Sequence, residues 1–236
     1  VELLYLHEAN ASTMALSRHL TERLQTARAE AEVQALTDPL TGLANRRAMD
    51  AHLTRALADY SQEFGLLHVD LDLFKEVNDT HGHAAGDAVL ARVGEVMRDE
   101  TRESDVAGRV GGDEFLVLLP GCTEEEELAA VATRLIALLE QPVLFERRLC
   151  MISASIGITT SPAYARRPTL DALLADADAA LYAAKRAGRG RFVLHRASIA
   201  APAPGPAPPG GHRRRRGDTR DRDRRAEVSR NAPRPG

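Results

Sequence analysis

Residues 106–119 leave the chain little choice of local structure. Two short β-rich segments, 106–110 and 115–119, flank Gly111 and Gly112. Apolar strand residues on either side of a Gly-Gly pair read as a hairpin, because glycine alone enters the left-handed turn at no steric cost. The tip carries Asp113 and Glu114 in succession. Two adjacent carboxylates repel each other unless something positive sits nearby. A second segment, 64–71, is an apolar run that ends in Asp70-Leu71-Asp72. Alternation puts Asp70 and Asp72 on one side of an extended chain. Each cluster alone would read as an Asp-rich turn. A hairpin lying beside the 64–71 strand would instead let Asp70 and Asp113 face shared cations.

The remaining patterning places these segments in a mixed architecture. Residues 87–97, 124–139 and 170–187 have helical periodicity, and Gly188 follows the last as a C-terminal stop. Residues 151–159 read as a strand, and Leu73-Phe74 would open a helix directly after Asp72. Strands and helices alternate without a strict β-α-β rhythm, which favours an α/β sandwich on a mixed or antiparallel sheet over a doubly wound fold. Aromatic residues make up only 4%, so the core must be aliphatic.

Three regions differ in texture. Residues 1–36 hold no Gly or Pro and read as one helix, with Leu16, Leu20, Leu24, Ala27, Ala31 and Ala35 along one stripe, either a dimer seam or a packing face. The body spans 37–195. From 196 the chain turns to APAPGPAPPGG and then HRRRRGDTRDRDRR, a composition expected to be disordered. The tail holds eleven Arg against four Asp and Glu, so the net charge of −3 conceals a body with 20 basic and 30 acidic residues. An acidic body is a poor nucleic-acid binder, and no specific nucleic acid is expected; an accessory contact through the tail is the most that reading allows. A small anionic substrate would need local cations. Cys122 and Cys150 have no metal-like spacing and suit a reducing cytoplasm. No apolar run in this chain reaches membrane-spanning length. The chain is therefore expected to be cytoplasmic; because Val1 opens inside helical sequence, it could equally be the soluble part of a larger sensor or membrane protein.

Five segments in order resemble the GGDEF diguanylate cyclase family. They are Asp38-Pro39-Leu40-Thr41-Gly42-Leu43-Ala44-Asn45-Arg46-Arg47; Asp70-Leu71-Asp72 through Lys75, Asn78-Asp79, Gly82-His83 and Gly86-Asp87; Gly111 to Phe115; Ser155-Ile156-Gly157; and Ala179 to Arg189. The resemblance covers nearly the whole body. It implies a palm-like, nucleotidyl-cyclase-type mixed sheet flanked by helices, with the N-terminal helix as a signalling coupler. It also implies condensation of two GTP into cyclic di-GMP across a homodimer.

Position by position, the resemblance makes Asp70, the Leu71 carbonyl and Asp113 ligands of two Mg²⁺ or Mn²⁺ ions per half-site. Asp113 or Glu114 would help take the proton of the attacking 3′-hydroxyl, and Lys75 would neutralise developing phosphate charge. Asn78 and Asp87 would bond the guanine edge, with His83, Leu73 and Phe74 close to the substrate. Lys185 and Arg189 would hold the triphosphate, and Asp72 would be a structural or outer partner. Arg102 and Asp105 match the family's inhibitory RxxD site for cyclic di-GMP. Gly190 replaces a frequent Asn, and Leu73 a frequent His or aromatic residue; neither removes a ligand. The rival readings are a catalytically silent module that binds GTP or cyclic di-GMP, and a cyclase making a mixed adenine-guanine product, which Asp87 disfavours.

Overall fold

The strand that ends in Asp70-Leu71-Asp72 is buried at all nine positions, and the architecture is arranged around it. The structure is a computed structural model that describes residues 14, 23 and 35–196. These lie in the first of two units, Val1–Ile199 and Ala200–Gly236. The helix read over 1–36 and the tail after 196 therefore fall almost wholly outside the described residues.

In chain order the elements are β1 (Ala44–Asn45), α1 (Arg46–Ala58), β2 (Phe64–Asp72), α2 (Phe74–His81), α3 (His83–Glu100), β3 (Val106–Arg109) and β4 (Glu114–Pro120). They continue with α4 (Glu125–Leu139), β5 (Val143–Phe145), β6 (Arg148–Cys150), β7 (Ser153–Thr160), a short 3-10 turn at Ser161–Ala163, α5 (Leu170–Arg186) and β8 (Phe192–Leu194). The main sheet runs β1-β3-β4-β2-β7-β8; β5 and β6 pair separately. The outer pairs β1–β3 and β7–β8 are parallel and the inner pairs antiparallel, so the sheet is mixed, as the sequence pattern indicated.

Alternate residues of the central strands feed two cores. Leu67, Val69, Phe115, Val117 and Ile156 pack with Val89, Val93 and Met97 of α3 and Leu128 and Leu135 of α4. On the other face Leu66, Leu116 and Leu118 pack with Met49 and Leu53 of α1 and Leu173 and Ala177 of α5. Truncating a fully buried leucine such as Leu67 to Ala would cost about 2–5 kcal/mol. Helix α5 lies so close to β7 that a Cβ on Gly157 would stand 2.1 Å from the Ala177 carbonyl oxygen, which explains a glycine in the Ser155-Ile156-Gly157 motif. No helix among the described residues is long and apolar enough to cross a membrane.

The sequence pattern missed α1, β1, the β5–β6 pair and β8. Asn45 caps α1 by accepting from the Ala48 amide at 3.1 Å, but the helix buries only Ala48, Met49 and Leu53, so its periodicity is faint.

Candidate active site

Strand β2 carries Asp70 and Asp72 to its carboxyl end on the face covered by α5. The β3–β4 hairpin meets that end: Asp70 pairs in register with Glu114, and the Leu71 amide donates to the Asp113 carbonyl at 3.1 Å. This bond carries the strand ladder one residue into the turn and sets Asp113 beside Asp70.

The hairpin tip is fastened from outside. Arg109 donates through Nε and Nη2 to the Gly112 carbonyl at 3.1 and 2.8 Å, and its Nη1 lies 3.3 Å from Asp38 Oδ2. Asp38 also accepts from the Thr41 amide and hydroxyl, each at 2.8 Å. Burial alone would push the Asp38 carboxyl up, but the Thr41 bonds and the Arg109 guanidinium outweigh it and hold its pKa below the ordinary value. Arg46 Nε adds a bond to the Val110 carbonyl at 2.7 Å. The Asp38-to-Arg47 and Gly111-to-Phe115 segments, far apart in sequence, thus form one clamp on the turn.

Lys185, on the last turn of α5, places Nζ 2.7 Å from Asp70 Oδ2. Burial still leaves the Asp70 pKa above its ordinary value; Lys185 lowers it, while Asp113 and Asp72 raise it. An anionic cluster of this kind gains from any further cation. Among the described residues no three His, Cys, Asp or Glu side chains converge into a closed metal cage. Asp70, Asp113 and the strand-end carbonyl of Leu71 nonetheless fit a hard divalent cation whose shell is completed by phosphates and water, the usual way Mg²⁺ is held.

Helix α2 starts from Leu73, which sits in the left-handed region at φ +68° and gives no side-chain cap. The first amides of the helix are left to bind an anion from outside. Asp70, Leu71, Leu73, Phe74, Lys75, Asp113, Lys185 and Arg189 all line one cleft of about 460 Å³, together with Asp72, Glu76 and Asp79. Carboxylates and cations face each other across it, as a metal-assisted phosphate site requires.

Six of the candidate residues lie outside that cleft. Asn78, His83 and Asp87 occupy the adjoining α2–α3 corner, with His83 and Asp87 exposed. There the Asn78 side chain lies over Gly86, where a Cβ would stand 2.1 Å from Asn78 Oδ1. Glu114 lines a neighbouring cavity of about 250 Å³ with His68, Arg46 and Asp178. His68, hidden within an apolar strand sequence, is buried with both ring nitrogens unbonded, and burial pushes its pKa down against the pull of Glu114 and Asp178. Arg102 and Asp105 form a tight turn just before β3: the Arg102 amide donates to Asp105 Oδ2 at 2.9 Å, and the Asp105 amide to the Arg102 carbonyl at 3.0 Å.

The family described as diguanylate cyclase, GGDEF domain, matches residues 35–191. The chain is 42% identical over 172 residues to diguanylate cyclase TpbB of Pseudomonas aeruginosa, covering 71% of this chain and 39% of TpbB. It is similar to the solved coiled coil and GGDEF domain of DgcB from Caulobacter crescentus in complex with c-di-GMP, with TM-score 0.72 and 30% identity over 78% of this chain and 97% of that one. The isolated GGDEF domain of TpbB gives TM-score 0.63 and 41% identity over 67% and 94%. The chain belongs to the GGDEF diguanylate cyclase family. It spans well under half the length of the curated relatives it matches first.

Proposed function

We propose that this chain is a diguanylate cyclase that joins two GTP into cyclic di-GMP and two pyrophosphates across a homodimer. The observation that carries the reading is the Leu71–Asp113 backbone bond, which sets two carboxylates side by side next to Lys185 in a cleft of phosphate-binding character.

The reaction asks little covalent chemistry of the protein. The 3′-oxygen of one GTP attacks the α-phosphorus of the other; a P–O bond forms, the bond to the β-phosphate oxygen breaks, and pyrophosphate leaves. The same step in the opposite direction closes the ring. Lys185 and Arg189 bind the triphosphate, and the α2 amides donate to its oxygens. Lys75, at the start of α2, offsets the charge gained by the leaving group. Asp113 or Glu114 takes the hydroxyl proton. Two Mg²⁺ or Mn²⁺ ions held by Asp70, Asp113 and the Leu71 carbonyl would polarise the α-phosphate and acidify the attacking hydroxyl. Asp87 and Asn78 accept from and donate to the guanine edge. Since one protomer presents one such cleft, two GTP meet only when two protomers face each other. Cyclic di-GMP at Arg102 and Asp105 restrains that facing pose.

Purified protein incubated with GTP and Mg²⁺, with its nucleotides then separated, tests the reading. One cyclic di-GMP and two pyrophosphates per two GTP consumed are expected. Tight GTP or cyclic di-GMP binding with no product would make the chain a silent binding module instead.

A further inference from the structure

We propose that Asp72 and Ser155 are positioning residues for Arg189, and that their effect falls on the nucleotide's triphosphate, not on its guanine or on the chemical step. The inference rests on reading the cleft as a GTP site.

Asp72 is the last residue of β2 and shares a face with Asp70, yet it is tied to different partners. Its carboxylate is buried at 4% exposure. Oδ2 accepts from the fully buried Ser155 hydroxyl at 2.8 Å and from the Gly190 amide at 3.1 Å. Oδ1 accepts no hydrogen bond and faces Arg189 Nε at 3.6 Å. A buried carboxylate with one oxygen unbonded is costly unless a charge compensates it, and the Arg189 guanidinium, itself 61% exposed, stands close enough to supply part of that charge.

The backbone explains why Arg189 needs such a hold. After α5 ends at Arg186, Gly188, Arg189 and Gly190 all have positive φ, at +116°, +61° and +57°. Glycine adopts this region freely; an arginine does so only where its surroundings over-determine it. The Arg189 amide donates to the Ala184 carbonyl at 3.2 Å, and Asp72 grips the next amide, that of Gly190. The chain then joins the sheet where the Ile156 amide donates to the Arg191 carbonyl at 2.9 Å. If this loop served only to end α5, a third glycine would satisfy it with less strain. With Arg189 in place, its Nε edge faces Asp72 and its side chain lines the cleft, leaving the terminal amino groups for a bidentate phosphate contact. Ser155 fixes which way the Asp72 carboxylate faces.

The test compares GTP with GMP, which share the guanine and differ in the two outer phosphates. Dissociation constants are measured in EDTA, so that no turnover occurs, and steady-state kinetics with GTP and Mg²⁺. Ser155→Ala should weaken GTP binding and raise its KM about tenfold, roughly the worth of one charge-assisted contact, with kcat and the GMP constant changed less than about twofold. Added to Arg189→Ala, Ser155→Ala should weaken GTP binding no further, because the two act as one unit. If melting shows that Ser155→Ala does not fold, Asp72→Asn carries the test: it keeps the shape and an acceptor but removes the charge facing Arg189, and the same loss is expected. Equal weakening of GTP and GMP, additivity with Arg189→Ala, or an unchanged GTP constant would overturn the proposal. A wild type that makes no cyclic product would defeat the cyclase reading alone, since the difference between GTP and GMP binding is read without turnover.

Discussion

Lys185 Nζ stands 2.7 Å from Asp70 Oδ2 across the floor of the cleft, joining the last turn of α5 to the end of β2. The pair does not fully offset the burial of Asp70, whose pKa stays above its ordinary value. A carboxylate kept under that tension binds an added divalent cation gladly and costs the fold something without one. Asp70 is therefore expected to aid cation binding at some cost to stability.

Asp70→Asn should separate the two effects. Because the folded pKa is raised, the fold holds the Asp70 proton more tightly than the unfolded chain does. Ionisation then costs stability as pH rises through the unfolded and folded values, and the cost is complete at neutral pH. The variant should melt higher than wild type at pH 7 and no higher near pH 3. Cyclic product should be lost. Melting curves at the two pH values check it; a lower melting temperature at pH 7 would mean that the Lys185 pair outweighs burial.

Asp38 should behave in the opposite sense. Its folded pKa is lowered, so its contribution is present above the unfolded value near 4 and fades as pH falls through the folded one. Asp38→Asn, which weakens the Arg109 clamp, should melt lower than wild type at pH 7, and the gap should close toward pH 2. Turnover should also fall, since the hairpin tip that carries Asp113 loses its outer fastening. Unaltered melting across the whole range would leave the clamp without energetic weight.

Much of this was readable in the residues. Strand β2 and the β3–β4 hairpin stand out because apolar runs end abruptly in Asp and Gly-Gly, and the close α5–β7 contact leaves its trace as Gly157. Helix α1 escaped because RRAMDAHLTRALA turns only three residues inward. The β5–β6 turn places Glu146 and Arg147 at positive φ, where Gly or Asn would have announced it. The Arg109–Asp38 clamp spans 71 residues, and no local pattern encodes such a pairing. His68 was hidden for another reason: inside FGLLHVDLD it reads as one more strand residue, and only the packing shows both ring nitrogens unbonded.

Base selection should reside in Asp87. Guanine offers N1–H and N2–H donors that adenine lacks at that edge, so a carboxylate facing it is left unpaired by the wrong base. Asp87→Ser should narrow the preference for GTP over ATP by about tenfold or more, one lost charge-assisted bond. A competition assay with both nucleotides measures the ratio, and an unchanged ratio would remove Asp87 from this role.

Feedback should pass through Arg102. Its exposed side chain sits on a turn shaped by Asp105, at the opposite end of β3 from the hairpin tip, so inhibition there should be non-competitive with GTP. Arg102→Ala should raise the inhibitory concentration of cyclic di-GMP about tenfold or more, the worth of one charge-assisted bond, while the initial rate barely changes. Equal inhibition of wild type and variant would reduce the motif to a surface turn.

The Asp70–Asp113 pair is tested most directly by Asp113→Ala, with turnover and GTP affinity measured on the same preparation. The Leu71–Asp113 bond uses only backbone atoms, so the hairpin should keep its place when the side chain is removed. Cyclic di-GMP formation should fall at least about a hundredfold, the scale for deleting one group that stabilises transition-state charge. GTP should still bind in EDTA with little change, since Lys185 and Arg189 remain. Near-normal turnover in Asp113→Ala would contradict the assignment and move the chemistry away from this pair.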